Sequence, residues 1–221
     1  MLAIINFKAY ATSSGLNAIQ LAKICEKVAK KERANIAVAV QPADIFAVSA
    51  NVKIPVLAQH VDAIDFGART GWILPESVLQ AGAVGSLINH SEHRIPLFQI
   101  KATINRLRSL GMLSVCCANT PEMAVKIANL KPDIIAIEPP ELIGGNIAVS
   151  QAKPQVITQT TGRIKTIPVL CGAGVKTKDD VAKAVKLGAK GILVASGVTN
   201  APNPEKALTQ LVKGLKTRHD L

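Results

Sequence analysis

The chain has 221 residues, 48% of them hydrophobic and 19% charged, a mix that belongs to a folded, globular protein and excludes disorder. Its longest stretch free of charge, Ser77 to Ser91, is only 15 residues and contains Gly, Gln and Asn, too short and too polar to span a bilayer. The net charge of +11 invites a nucleic-acid reading, but residues 1–110 and 111–221 share it as +5 and +6, and aromatics for stacking on bases total 3%. An evenly spread positive field suits attraction of a small anionic substrate, and no nucleic-acid or membrane partner is expected.

The N-terminus lacks the basic leader of a secretory signal, since Lys8 interrupts the apolar run Leu2–Phe7, so a cytoplasmic protein is expected. Cys25, Cys116, Cys117 and Cys171 form no Cys-x-x-Cys pair and have no histidine at zinc spacing. They read as buried thiols in a reducing compartment, with no metal implied.

In chain order, eight short apolar runs alternate with amphipathic segments. The runs are Leu2–Phe7, Ile36–Val40, Val56–Gln59, Val84–Ile88, Met112–Cys117, Ile134–Ile137, Ile167–Leu170 and Gly191–Val194. Nearly continuous apolarity is the mark of parallel strands buried on both faces. Between them, Leu16 to Arg33 places Leu21, Ile24 and Val28 at helical spacing. Thr120-Pro121-Glu122 and Asn203-Pro204-Glu205 each combine a cap, a proline at the first helical position and an acid in the first turn. Thr177 to Asp180 resembles a capping box with Asp in place of Glu. Gly82, Gly111 and Gly188 stand where helices exit through a left-handed residue. Pro55, Pro132 and Pro168 lie at strand entrances. Gly82–Ile88 is echoed by Gly188–Val194 at an offset of 106 residues. Eight strand-helix units predict an α/β fold, a closed (β/α)8 barrel filling residues 1–221 as one domain. An open doubly wound sheet is the alternative, but no Gly-x-Gly-x-x-Gly follows the first strand.

Chemistry in such a barrel sits where strands end. Those positions hold Asn6-Phe7-Lys8, Asn89-His90-Ser91-Glu92-His93-Arg94, Glu138-Pro139-Pro140-Glu141, Cys171-Gly172-Ala173-Gly174 and Ala195-Ser196-Gly197. Each has an ordinary reading when taken alone: a strand-end glutamate in a salt bridge, a solvated loop histidine, a surface lysine, glycines that only form turns. Together they offer a base (Glu138), a neutral hydrogen-bond donor (His90), a cation (Lys8) and backbone amides for a phosphate. That set fits proton abstraction beside a carbonyl in a phosphorylated sugar. Pro139-Pro140 and Gly144-Gly145 bracket a segment suited to closing over such a site, or to an exposed turn.

On these motifs the sequence resembles the triosephosphate isomerases, in their short archaeal form. Asn6-Phe7-Lys8 is similar to the family's Asn-x-Lys, the segment from His90 to Arg94 to its His-Ser-Glu-x-Arg, and Glu138 to Gly144 to its catalytic glutamate and lid. Cys171–Val175 and Val194–Gly197 are similar to its two phosphate loops. The resemblance implies a TIM barrel that interconverts D-glyceraldehyde 3-phosphate and dihydroxyacetone phosphate, a step of glycolysis and gluconeogenesis, without a cofactor. It assigns Glu138 as the base, His90 as the electrophile and Lys8 as the cation by carbonyl and phosphate, positioned by Asn6. Glu92 becomes the carboxylate near that cation, and backbone amides of Gly144, Gly174, Ala195 and Ser196 the phosphate site. It also implies a homodimer or homotetramer, with the loop around Thr70 reaching into a partner and Trp72 able to anchor the contact. The chain departs from the bacterial and eukaryotic pattern at Pro140-Glu141, Gly174, Ala195-Ser196 and His93, where that pattern has tryptophan, serine, paired glycines and arginine. Two other readings remain: a biosynthetic enzyme on another phosphate-binding barrel, and a basic, non-catalytic nucleic-acid-binding protein.

Overall fold

The structure, a computed structural model, describes residues 1–139 and 148–216. Eight strands appear in it: β1 (Leu2–Asn6), β2 (Asn35–Val40), β3 (Val56–Ala58), β4 (Gly85–Ile88), β5 (Leu113–Ala118), β6 (Ile134–Ile137), β7 (Val169–Cys171) and β8 (Gly191–Val194). All pair in parallel and in chain order, and β8 closes the ring on β1 through Leu2–Gly191 to Ile5–Val194. The helices are α1 (Leu16–Glu32), α2 (Ile45–Ser49), α3 (Pro75–Gln80), α4 (Leu97–Ser109), α5 (Pro121–Ala128), α6 (Val149–Ala152), α7 (Pro154–Arg163), α8 (Lys178–Lys186), α9 (Ser196–Thr199) and α10 (Pro204–Leu215).

The eight expected strands are the eight observed, with ends displaced by up to two residues. The largest displacement is at β7, which begins after Pro168, where the first free N–H of the strand becomes available. The caps act as their residue types require. Thr120 Oγ1 accepts from Met123 N at 3.2 Å, and Asn203 Oδ1 from Lys206 N at 2.9 Å. Thr177 and Asp180 form the reciprocal box, Asp180 Oδ2 accepting from Thr177 N at 2.9 Å. Gly82, Gly111 and Gly188 all take left-handed φ, at 103, 68 and 100°.

Period-two alternation divides the apolar residues between two cores. Ile4, Ala37, Ala39, Leu57, Leu87, Val115, Cys117, Ala136, Leu170 and Leu193 fill the barrel interior. Their strand neighbours, such as Ala3, Ile5, Val38 and Ile135, face the surrounding helices. The internal echo falls on β4 and β8, opposite each other in the ring, where Gly85 and Gly191 let the carbonyls of Leu113 and Leu2 approach without a Cβ between them. All four cysteines are buried and unpaired. Among the described residues no helix is long and apolar enough to cross a membrane.

Candidate active site

The same alternation that packs the interior aims the site residues. Continuing each inward row two residues past its strand leads from Ile4 to Asn6 and Lys8, from Ala136 to Glu138, from Leu170 to Gly172 and from Leu193 to Ala195. Asn6, Lys8, His90, Glu138, Gly174, Ala195 and Ser196 line one cavity at this end of the barrel. Asn6, His90 and Glu138 are 4, 7 and 5% exposed, so their chemistry proceeds largely out of water. Gly144, with the expected lid and its hinges from Pro140 to Gly145, lies outside the described residues.

Two residues break the β pattern to complete the site. Lys8 takes a left-handed φ of 52°, stabilised by its N–H donating to Asn6 Oδ1 (3.0 Å) and its carbonyl accepting from Gln59 Nε2 (3.0 Å). Its Nζ then sits 2.6 Å from Glu92 Oε1. Asn89 takes φ 60°, a conformation asparagine tolerates better than most residues. Its amide donates to Cys117 O (3.0 Å) and accepts from Ile95 N (3.1 Å). The kink moves His90 off the strand's alternation and into the mouth.

The tautomer of His90 follows from its partners. Nδ1 accepts the backbone N–H of Glu92 at 3.2 Å, so it carries a lone pair. The ring proton then resides on Nε2, which points at Glu138 Oε2, 3.6 Å away. That Oε2 is buried and has no hydrogen-bond partner. Burial raises the Glu138 pKa above the ordinary glutamate value, against the lowering effects of His90, the Cys117 thiol and Lys8. The Cys117 thiol, pushed far up by its own burial and by Glu138, stays protonated. A dry carboxylate with one oxygen unsatisfied is a stronger base than one in water.

Across the cavity, Ala173 (φ 66°) and Gly174 (φ 69°) curl the loop after β7, and α9 starts directly after Ala195. Backbone curled in this way presents successive N–H groups to one side, where an anion can accept them. Glu92 stands at the rim, its side chain 57% exposed, and touches the site through Lys8 and His90.

Sequence reasoning missed Gly172 as a site residue. A Cβ there would come within 2.6 Å of Glu138 Oε1 and 2.8 Å of Cδ. The position directly after a strand was the available signal, but the contact exists only because β6 and β7 pair. Gly172→Ala should displace the Glu138 carboxylate and lower kcat on the order of 10²-fold, with KM nearly unchanged; steady-state kinetics would show it. Gln59, Asn89 and Cys117 were likewise invisible as supports, since each acts on a residue far along the chain.

A closed barrel with a buried base, a neutral imidazole donor and a cation gathered at the strands' C-terminal end is an enzyme site for proton transfer on a small anion. The triosephosphate isomerase family model matches residues 1–214, and the chain belongs to that family. It is 51% identical to the triosephosphate isomerase of Methanobacterium bryantii over 213 residues, 95% of this chain and 94% of that one. It is 46% identical to that of Methanocaldococcus jannaschii over 217 residues, 96 and 99% of the two chains. With that of Archaeoglobus fulgidus it shares 46% over 213 residues, 95 and 96%.

Proposed function

We propose that this chain interconverts D-glyceraldehyde 3-phosphate and dihydroxyacetone phosphate, with Glu138 as the base. The observation that carries the roles is the facing pair of Glu138 Oε2 and His90 Nε2–H, 3.6 Å apart in a buried pocket beside Lys8. Glu138 takes a proton from the carbon next to the carbonyl, and the electron pair moves onto the carbonyl oxygen to give an enediolate. His90 Nε2–H and the Lys8 ammonium hydrogen-bond the oxygens as charge develops there. The protonated Glu138 returns its proton to the neighbouring carbon while the hydroxyl proton passes to the other oxygen, so atoms and electrons balance without a cofactor. Amides of Gly174, Ala195 and Ser196, and of Gly144, hold the phosphate. A coupled assay with D-glyceraldehyde 3-phosphate, reading dihydroxyacetone phosphate through an NADH-linked dehydrogenase, tests this. Fast turnover supports the proposal; its absence returns the chain to another phosphorylated substrate.

The same reading includes a homo-oligomer in the cytoplasm. The segment between β3 and α3 is held out as an arm. Asp62 closes its base, accepting Ile73 N at 2.7 Å and donating its own N–H to Ile73 O at 2.9 Å. Arg106 of α4 ties it further, to Ile64 O at 3.3 Å, to Asp65 at 3.1 Å and to Glu76. At its tip Phe66 and Trp72 are 72 and 55% exposed, with exposed Thr70 between them. A cavity of about 250 Å³ beside Lys8, His60, Glu92 and His93 would receive a second copy's tip. Phe98, 71% exposed on α4, offers a further contact through the fourth and fifth helices for a tetramer. Trp72→Asp should shift the protein to monomer in sedimentation velocity and lower its activity; an unchanged coefficient would place the interface elsewhere.

A further inference from the structure

The even division of charge between the chain's halves describes a line, and the fold is a ring. Closure sets β8 beside β1, so α10 packs against both α1 and α8. The three helices with the residues that end them, 16–33, 178–186 and 204–216, hold eleven Lys and Arg against five Asp and Glu, a net +6 of the chain's +11. One flank of the barrel therefore carries most of the excess.

Among the described residues the five acids on this flank pair with three of its eleven cations, Lys27, Lys30 and Lys216. Asp180 is buried, accepting the N–H groups of Lys176 (3.1 Å) and Thr177 (2.9 Å). Glu32 is buried and meets Lys216 at 3.2 Å. Glu26 and Glu205 pair with Lys30 (3.2 Å) and Lys27 (2.9 Å), leaving Asp179. Exposed lysines form rows along the helices. Lys23, Lys27 and Lys30 lie on one face of α1 at spacings of four and three residues. Lys183 and Lys186 do the same on α8, and Lys206 and Lys213, seven apart, on α10.

We propose that the flank formed by α1, α8 and α10 binds the phosphate backbone of double-stranded nucleic acid without reading its sequence. The chemistry of the face selects that partner. Of the exposed large apolar residues, only Leu16, at the first position of α1, belongs to these helices. Insertion into lipid and a dry protein–protein core both need a broad apolar face, and here apolar surface is confined to one cavity between the starts of α8 and α10, beside Pro202 and Ala207. Single strands need aromatic platforms, and Phe7, Tyr10, Phe46, Phe66, Trp72 and Phe98 all lie in other elements. What remains is a rigid array of ammonium groups, which contact phosphates as point charges. Helix axes about 8–10 Å apart make the array about 20 Å across. The flank is curved, so about four to six phosphates would be neutralised, giving a log–log salt slope of about −4 to −5. The active-site mouth lies at the end of the barrel, not on this flank, so bound protein keeps turning over.

The test is fluorescence anisotropy with two labelled 20-base-pair duplexes of unrelated sequence, between 50 and 200 mM salt. The triple variant K183E/K186E/K213E alters the flank. K131E/R163E/K165E makes the same change in net charge after α5 and at the end of α7, away from both this flank and the face of α4. We expect both duplexes to bind alike, the flank variant to weaken binding more than tenfold and the control less than threefold. Isomerase activity should be unchanged in both variants, which also reports that they fold; glutamine versions at the same positions replace any reversal that does not. Equal losses in the two variants would reduce the affinity to net charge alone and overturn the proposal. So would the absence of duplex binding at 50 mM salt, or capture by phosphatidylserine vesicles without any binding of duplex.

Discussion

Glu138→Gln should lower kcat on the order of 10²–10⁴-fold while KM changes little, since the amide keeps the shape of the side chain and loses the base. The pH dependence carries the same signature. The carboxylate must be ionised to take a proton, and its burial raises its pKa above the ordinary value of 4.5. Activity of the wild type therefore falls as pH drops through that raised value, with an acid limb higher than a solvated glutamate would give. Stability runs the opposite way. Between 4.5 and the raised value the folded protein holds a proton that the unfolded chain has released, so stability declines as pH rises through that window. The substitution removes this cost. Calorimetry should show a higher thermal midpoint for Glu138→Gln at pH 7 and no gain near pH 4. A variant that loses activity and also loses stability at pH 7 would mean that Glu138 is a structural ion-pair partner.

Lys8→Met tests the other large effect. The methionine stem fills nearly the same volume, so the loss isolates the ammonium. Lys8 lines the cavity together with His90, Glu138 and Lys176, and its side chain is 11% exposed. Without it the developing enediolate oxygen loses the ammonium group beside His90 and Glu138, and Lys176 is left as the cation among the cavity's described lining residues. A fall in kcat/KM on the order of 10²–10³-fold is expected, divided between a higher KM and a lower kcat. The exposed Glu92 loses a partner at 2.6 Å but stays hydrated, so the thermal midpoint should move little. A change confined to stability would assign Lys8 to the Glu92 ion pair alone.

Much of this was legible along the chain because the signals involved are short-ranged. A run such as Ile134–Ile137 identifies a doubly buried strand from four residues. Thr177 and Asp180 define a helix start by reaching three residues. Because chemistry in a barrel gathers at strand ends, finding the strands was enough to nominate Lys8, His90 and Glu138; the family resemblance added Asn6, Gly174, Ala195 and Ser196, and all seven line one cavity. Glu92 was nominated with them and meets Lys8 from outside that cavity.

Other properties exist only in the closed ring. The tautomer of His90 depends on a left-handed Asn89 held by Cys117, 28 residues away. The need for glycine at 172 arises from pairing β6 with β7. The basic flank arises from setting residues near each terminus side by side, so charge that is even in sequence is uneven in space. Periodicity and capping are decided over one or two turns of chain, so composition and spacing reveal them. Contacts between distant segments are decided by strand order and register, which the same local forces permit but do not encode in any one stretch.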